Sequence, residues 1–312
     1  MAARLFGSPS VAPVRASRHS LRATGAHTWR LAGAAVALSL VASAALPREA
    51  SWAVALAFVI VLGVPHGALD GAVAAPMLRP RYGRIWFGVF ALPYLGASAL
   101  VLLAWQVAPL ATLAGFLALS VLHFGEEDAG PGQPVEALVR GGLPIALPAL
   151  LQPEETARIF AVVTRIPLGK LPAWWVIAAW IWATAVVIWL MTQRPRRALL
   201  IELNLLYIAF WLLPPLTAFA LYFVGLHAPR HMLALVHDTT RAPKVDTLGK
   251  AVLTSLPVFA LTLLLGALLW PLYAAGSRST PSTLLTLTLQ MLSALTVPHV
   301  ILDRIAGAHS RT

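Results

Sequence analysis

Five histidines of this chain lie within long apolar segments, where an ionisable side chain is costly and is a functional candidate by default. His227 and His231 are four residues apart. That spacing puts both imidazoles on one face of a helix, one turn apart, where they can bind a single metal ion. The other three, His66, His123 and His299, each lie in a different apolar segment. The pattern indicates a metal site built from imidazoles.

Two of these histidines lie in segments that resemble each other. V-P-H-G-A-L-D at 64–70 and V-P-H-V-I-L-D at 297–303 share the frame V-P-H-x-x-L-D. In each, the carboxylate follows the histidine by four residues, so Asp70 and Asp303 can share its helix face. There they could accept an N–H bond from a ligating imidazole. The alternatives are a His–Asp pair that only joins helices, or an aspartate that marks a helix end.

Prolines and glycines next to the histidines predict a protein interior. Pro65, Pro229 and Pro298 each free a backbone carbonyl four residues earlier, and membrane helices tolerate this only where protein or water satisfies it. Gly63 and Gly67 would let a neighbouring helix or a bulky ligand come close. We therefore expect the histidines to face a packed or hydrated interior and not lipid.

The sequence around His123 is H-F-G-E-E-D, with three acidic residues at the predicted end of a helix. Glu126 and Glu127 are interpreted as loop residues that keep the loop in water. Asp128 either turns inward towards the site or is a helix-ending acid.

The ligand types narrow the choice of metal. The chain has no cysteine, so histidine and carboxylate are the available strong ligands. An imidazole set suits iron, copper, zinc or nickel and disfavours magnesium and calcium. Two other hypotheses use the same histidines: a haem-binding electron carrier of the membrane, with two imidazoles across a bundle, and a metal- or proton-coupled transporter.

The elements that must position these residues are membrane helices. The chain has 312 residues, of which 59% are hydrophobic and 11% charged, whereas soluble domains carry about 25% charged residues. This composition excludes a soluble enzyme and a disulfide scaffold. We predict an all-α polytopic integral membrane bundle of about ten helices, with eight to ten as the range. The apolar blocks lie near 30–46, 52–74, 85–105, 109–124, 135–151, 172–192, 198–213, 216–236, 251–273 and 283–303.

The net charge of +11 is interpreted as an orientation signal and not as a nucleic-acid surface, because the cations lie in short loops and tails. With ten spans and a cytoplasmic N-terminus, sixteen loop cations are inside and five outside. Both termini are then cytoplasmic in a multi-pass protein of the cell membrane. The histidine-bearing helices all run inward in this topology, and the five histidines reach a similar depth.

Three segments are predicted along the chain. Residues 1–29 are Arg-rich without acidic residues and form a disordered basic cytoplasmic tail. Residues 30–305 form the membrane domain, and 306–312 form a short C-terminal tail. The remaining histidines fall in tails or in a loop and are interpreted as solvated: His19, His27, His237 and His309.

Four motifs occur in the order found in one family. They are V-P-H-G-A-L-D at 64–70, L-H-F-G-E-E-D at 122–128, L-H-A-P-R-H at 226–231 and V-P-H-V-I-L-D at 297–303. Over residues 50–305 the chain resembles the Brp/Blh family of membrane β-carotene 15,15′-dioxygenases. The resemblance implies an Fe(2+) oxidoreductase without haem that splits the central double bond of β-carotene with O2 and yields two molecules of all-trans-retinal.

The resemblance also implies which residues act. Carried over motif by motif, the iron ligands are His66, His123, His227 and His231. The resemblance implies no further catalytic residues, and it places His299 beside the ligands or along the substrate channel, together with Asp303. From the residue pattern, Asp70 and Asp128 are predicted in the same position. It further implies that retinal is passed to an opsin.

One departure lies between the paired histidines. The family often has H-S-x-R-H, whereas this chain has Ala228 and Pro229. A hydroxyl is lost and a kink is expected between the ligands, which leaves the preferred carotenoid open. The 11 Trp and 11 Phe could line a channel for a polyene, although aromatic belts and helix packing account for most of them.

Overall fold

The structure, a computed structural model, describes residues 33–129, 132–277 and 279–309. The predicted tail at 1–29 lies outside these residues. Contacts divide the chain into two units. The first ends at Ser39 and is described only for the beginning of α1 (Gly33–Ser43), and the second, Leu40–Thr312, contains all the other helices.

Within the described residues every regular element is helical and there is no strand, so the predicted all-α fold is confirmed. The last helix continues past residue 305 to His309. After α1, the helices are α2 (Arg48–Phe58), α3 (Asp70–Tyr82), α4 (Trp86–Val107), α5 (Pro109–Ala129), α6 (Pro134–Leu151), α7 (Pro153–Thr164), α8 (Ala173–Thr192), α9 (Arg197–Leu212), α10 (Pro215–Tyr222), α11 (Ala228–His237), α12 (Leu248–Ala274) and α13 (Thr280–His309).

Seven helical segments of the described chain are long and apolar enough to cross a membrane, so this is a polytopic membrane protein. The predicted number of about ten spans is not confirmed. The blocks at 52–74 and 85–105 run together in one helical segment of 60 residues, Arg48–Val107. The blocks at 30–46 and 198–213 correspond to α1 and α9, and α9 has only 16 residues, against about 20 for a span. The positions of the termini and the orientation stay predictions.

Irregular turns precede two of the prolines that adjoin the histidines. A π-helical turn, Val59–Gly63, and a 3-10 segment, Val64–Leu69, connect α2 to α3 around Pro65. A second π-helical turn, Phe223–His227, connects α10 to α11 just before Pro229. A change of helical winding therefore occurs between His227 and His231, where a kink was expected. Such π turns often occur at functional sites.

Close backbone contact fixes α5 against α6. A Cβ atom at Gly141 of α6 would overlap the Val121 carbonyl oxygen and lie 2.9 Å from the Gly125 Cα of α5. A Cβ at Gly125 would in turn overlap the Ala137 carbonyl oxygen. Because neither glycine has a side chain, the two helices approach closely beside His123.

Helix α7 was not predicted. It begins at Pro153, two residues after α6 ends, and it carries two acidic residues in its first turn, where the helix dipole favours them. Val162 and Val163 of α7 accept hydrogen bonds from Thr286 and Gln290 of α13. These bonds therefore hold α7, which with 12 residues is too short to span a bilayer, against α13.

Candidate metal centre

Five elements bring the five histidines of the apolar segments into one cluster. His66 lies on the 3-10 segment, His123 on α5, His227 on the second π turn, His231 on α11 and His299 on α13. All five are buried, with at most 7% exposed. Each ring centroid lies 5.2–5.9 Å from the centroids of at least two others. The expected interior position of these side chains is confirmed.

Two glycines next to His66 allow this arrangement in different ways. A Cβ at Gly63 would collide with the ring of Phe223, so the two π turns come together only because Gly63 has no side chain. Gly67 has nothing within 4 Å of an added Cβ, and it lines the cavity beside the cluster. The close approach expected at both glycines therefore occurs at Gly63, where the neighbouring turn packs against it. Gly67 instead leaves an open surface on the cavity.

Three of the imidazoles use Nδ1 for hydrogen bonds to oxygen. His66 Nδ1 donates to the Gly63 carbonyl at 2.5 Å. His231 Nδ1 lies 2.9 Å from Glu127 Oε1, and His299 Nδ1 lies 2.7 Å from Asp70 Oδ1. These acceptors fix the N–H on Nδ1 and leave the lone pair on Nε2. Ligating histidines in metalloproteins show this arrangement.

His227 is the most deeply buried of the five, with 1% exposed. Neither of its ring nitrogens has a hydrogen-bond partner among the described residues. Its ring stacks on Phe223 with centroids 5.5 Å apart and meets the edge of Phe124 at 4.6 Å. A buried polar group without a partner is costly. A metal ion bound to one nitrogen would remove part of this cost.

The ligating atoms form two groups that could each hold a metal ion, with the atoms of a group within 4.8 Å of one another. The first group is His66, His123 and His227. The second is Glu127, His231, His299 and Asp303. The resemblance implied that His231 joins the first three and that His299 stands beside them. The structure brings His231 and His299 side by side, and the assignment of ligands stays a prediction.

Glu127 is a site residue that the sequence analysis missed. Its Oε1 lies 2.9 Å from His231 Nδ1 and 3.8 Å from His123 Nδ1, and its Oε2 lies 3.6 Å from His227 Nε2. It is not a loop residue, because α5 continues to Ala129. Its spacing of four from His123, the same as in the two H-x-x-x-D motifs, was the signal available.

Glu126, in contrast, does lie at the surface. It is half-exposed and accepts a hydrogen bond from Arg304 at 2.9 Å. Glu126 is therefore exposed, as interpreted, although it lies on α5 and not in a loop. For Glu127 the interpretation is wrong in both respects.

Asp70 joins His299 to a tyrosine. His299 donates to one carboxylate oxygen of Asp70, and the hydroxyl of Tyr94 donates to the other at 2.7 Å. The two repeated motifs thus pair across helices, because Asp70 of the first binds the histidine of the second. Asp303 lies 3.8 Å from His299 Nε2 and accepts a hydrogen bond from Arg241 at 2.7 Å.

Asp128 turns inward and lies in an ion network behind the histidines. Tyr222 donates to it at 2.8 Å, and Arg230, located between His227 and His231 in sequence, lies 3.2 Å away. Arg230 also pairs with Glu202 of α9, which in turn pairs with Arg140 of α6. These charges connect four helices around the segment that carries the paired histidines.

An apolar cavity of about 300 Å³ opens beside the cluster. His66, His123 and His299 line it together with Asp70 and Tyr94, and the rest of its wall is largely apolar. Ser120, Phe124 and Phe219 are among the other lining residues. An apolar cavity with a few convergent polar groups is the usual form of a small-molecule site.

The fold and the site together define a helical membrane protein with a group of imidazoles and carboxylates, suited to a metal ion, at an apolar cavity. Comparison with known proteins gives the family. A profile of β-carotene 15,15′-dioxygenases matches residues 57–305. The chain belongs to the β-carotene 15,15′-dioxygenase family.

Two relatives cover most of the chain. A probable β-carotene 15,15′-dioxygenase Blh of Halobacterium salinarum is 28% identical, over 94% of this chain and 96% of its own. A β-carotene 15,15′-dioxygenase of an uncultured marine bacterium, 66A03, is 29% identical, over 82% of this chain and 94% of its own. No solved structure matches the chain. The prediction of an enzyme of this family is confirmed, and neither the electron carrier nor the transporter is needed to explain the site.

Proposed function

We propose that this protein is an Fe(2+) dioxygenase that cleaves the central double bond of β-carotene. One carotene and one O2 give two molecules of all-trans-retinal, with one oxygen atom in each product. The observation that carries the proposal is the convergence of His66, His123 and His227, of which the first two line the apolar cavity, while neither nitrogen of His227 has a hydrogen bond among the described residues.

The residues fit a ferrous ion. His66, His123, His227 and His231 would hold it, as the family resemblance implies. Because neutral imidazoles carry no charge, the ion would keep its positive charge, and four of them would leave coordination positions open. Bound Fe(2+) would activate O2, and the electrons that reduce O2 would come from the double bond that is cleaved. In this proposal Glu127 compensates the charge of the site from behind His231 and His227, at 2.9 and 3.6 Å.

The protein's own contribution is orientation and exclusion of water. The hydrogen bonds of Gly63, Glu127 and Asp70 to Nδ1 atoms hold three rings at fixed angles. Among the described residues that line the cavity, the imidazoles and Asp70 are the ionisable groups, so the wall would accept a hydrocarbon directly from the membrane. Cleavage at one bond requires that bond to lie beside the cluster, so the depth of the channel would set the position of cleavage.

Localisation in the cell membrane belongs to the same proposal. β-Carotene dissolves in the bilayer, and a protein with seven candidate spans would meet it there. Retinal is also apolar and would leave through the lipid, with an opsin as the expected recipient.

Expression in β-carotene-accumulating cells tests the proposal. We expect the colour to bleach and retinal to appear in extracts separated by chromatography. His66→Ala, His123→Ala, His227→Ala and His231→Ala should each lose iron and activity, and His237→Ala, a change at the end of α11, should keep both. Unchanged carotene in cells that contain folded, iron-loaded wild-type protein would contradict the proposal.

A further inference from the structure

A second apolar cavity, of about 420 Å³, adjoins the first. It lies between α12, α13 and the first π turn, and its wall includes Ile60, Gly266 and Trp270. The two cavities share lining residues on three elements. One of these residues, Val64, is two positions before His66. The shared residues are Val64, Thr262, Leu292 and Leu295.

Helix α12 forms the outer wall of the second cavity. In an apolar stretch of 18 residues on α12, only 6% of the residues are buried, against 56% in the corresponding stretch of α13. Leu264 and Leu268 are more than half exposed, which in a bilayer means contact with lipid. One side of α12 therefore faces the membrane while Thr262 and Gly266 line the cavity.

Specific contacts hold α12 near its two ends. Near its C-terminus, Tyr273 donates to Gln290 of α13 at 2.7 Å. Near its N-terminus, Ala251 is fully buried in a cluster that includes Leu69 and Leu248. Between Pro257 and Trp270, no hydrogen bond to another helix occurs among the described residues, since Thr262 donates within its own helix.

The middle of α12 therefore packs by dispersion contacts alone. One such contact is at Gly266, where an added Cβ would lie 3.4 Å from the sulfur of Met291. The unbranched methionine side chain adapts its shape easily. A hydrocarbon could pass between α12 and α13 here without breaking a hydrogen bond.

We propose that the second cavity binds one ring-bearing half of the carotenoid, which enters from the bilayer between α12 and α13. This inference rests on the proposed function, because central cleavage requires one half of the substrate on each side of the metal. Pockets for drug-sized ligands measure about 300–1,000 Å³, and a forty-carbon polyene is a large ligand of that kind. The first cavity alone is at the low end of this range.

The chain offers a matched set of variants on one helix. Ala267 lines the second cavity and is exposed, so Ala267→Phe narrows the passage without disturbing a packed core. Gly266→Phe fills the cavity itself. Ala260→Phe is the control, since Ala260 is an exposed residue of α12 that lines neither cavity.

Binding is measured on full-length, iron-loaded protein kept free of O2, so that no turnover occurs. The probes are β-carotene and a shorter apocarotenal with a single ring, and the signal is the quenching of tryptophan fluorescence. We expect Ala267→Phe and Gly266→Phe to weaken β-carotene binding about tenfold, in the range set by steric fit in apolar pockets. The apocarotenal should bind within about threefold of wild type, because its ring can occupy the first cavity. Ala260→Phe should change neither affinity.

Three results would overturn the inference: wild-type affinity for β-carotene in both cavity variants, an equal loss for both probes with iron content unchanged, or no binding of β-carotene by the wild type. Failure of the proposed function gives a different result. In that case the wild type binds β-carotene but forms no retinal when O2 is admitted, and the variants still report on the cavity.

Discussion

His66, His231 and His299 show how single residues prepare this site. In each, Nδ1 is bonded to an oxygen from a different source: the Gly63 carbonyl, Glu127 and Asp70. The ring orientation is therefore fixed by the protein itself, and Nε2 is left for a ligand. His227 lacks such a bond and is held by aromatic contacts with Phe223 and Phe124 instead.

Glu127→Gln should weaken iron binding. The amide loses the charge that faces His231 and His227, and loss of such a supporting group costs about 10- to 100-fold in metal affinity. The measurement is the iron retained during titration with a chelator. Glu126→Gln is the control, because Glu126 lies beside Glu127 on the same helix but is half-exposed and pairs with Arg304. Equal iron retention in the two variants would show that Glu127 does not support the metal.

His299→Ala should keep iron and lower the turnover rate by about tenfold, since the four implied ligands remain while the bond to Asp70 is lost. Metal analysis and steady-state kinetics on the same preparation check both parts. Asp70→Asn, which keeps the shape of the carboxylate, should reproduce the kinetic effect. If His299→Ala loses its iron, His299 is a ligand and the ligand set implied by the family motifs needs revision.

Irregular helical turns position the histidines. The first π turn ends at Gly63, three residues before His66, and the second ends at His227. The two turns meet where the Phe223 ring packs on Gly63. The prolines in the sequence predicted an interior location for this region, which the burial confirms. They did not predict the π turns, because a local change of winding shifts the apolar pattern too little to be read from sequence.

Gly141→Ala should destabilise the protein and release iron. The added methyl overlaps the Val121 carbonyl oxygen, so α6 must move away from α5 and His123 moves with it. Overpacking of this kind costs about 1–3 kcal/mol. Gly115→Ala on α5 is the control, because nothing lies within 4 Å of its added Cβ and alanine favours a helix by about 0.4–1 kcal/mol.

The thermal midpoint and the iron content of the two glycine variants are the measurements. The two changes should move the midpoint in opposite directions. A stable, iron-loaded Gly141→Ala protein would mean that the contact of α5 with α6 does not position His123.

At the scale of the whole molecule, an ion network joins helices that are far apart in sequence. Asp128 of α5, Arg230 of α11, Glu202 of α9 and Arg140 of α6 form a continuous chain of pairs. Arg140 and Arg230 each pair with an acidic residue of another helix. The sequence did not predict a role for Glu202, because its partners are 28 and 62 residues away.

Arg230→Met should lower the free energy of unfolding by about 2 kcal/mol, because Asp128, whose side chain is 3% exposed, loses a charged hydrogen-bond donor. The thermal midpoint in detergent measures the effect. Arg158→Met breaks a surface pair with Glu155 and should change stability by less than about 1 kcal/mol. Equal midpoints for the two variants would contradict a stabilising role of the network.

The sequence predicted the helical membrane fold and the histidines that cluster, because apolar length and intramembrane ionisable residues are strong local signals. Three features were not predicted from the sequence, although the spacing of Glu127 from His123 was a local signal for the first. Glu127 turned inward because α5 runs beyond its apolar stretch. Asp70 paired with His299 and not with its own motif, because two helices pack side by side. The block at 198–213 is helical, but as α9 it has only 16 residues, so its length did not confirm a span.

In the proposed function, the buried histidine cluster holds iron and the enzyme cleaves the central double bond of β-carotene. The most direct test combines metal analysis of the purified protein with chromatography of the products formed from β-carotene and O2. We expect one iron per chain and two retinal molecules per carotene consumed, with both lost in His227→Ala. A folded wild-type protein that carries iron yet leaves β-carotene intact, or that yields retinal equally well after the iron is removed, would contradict it.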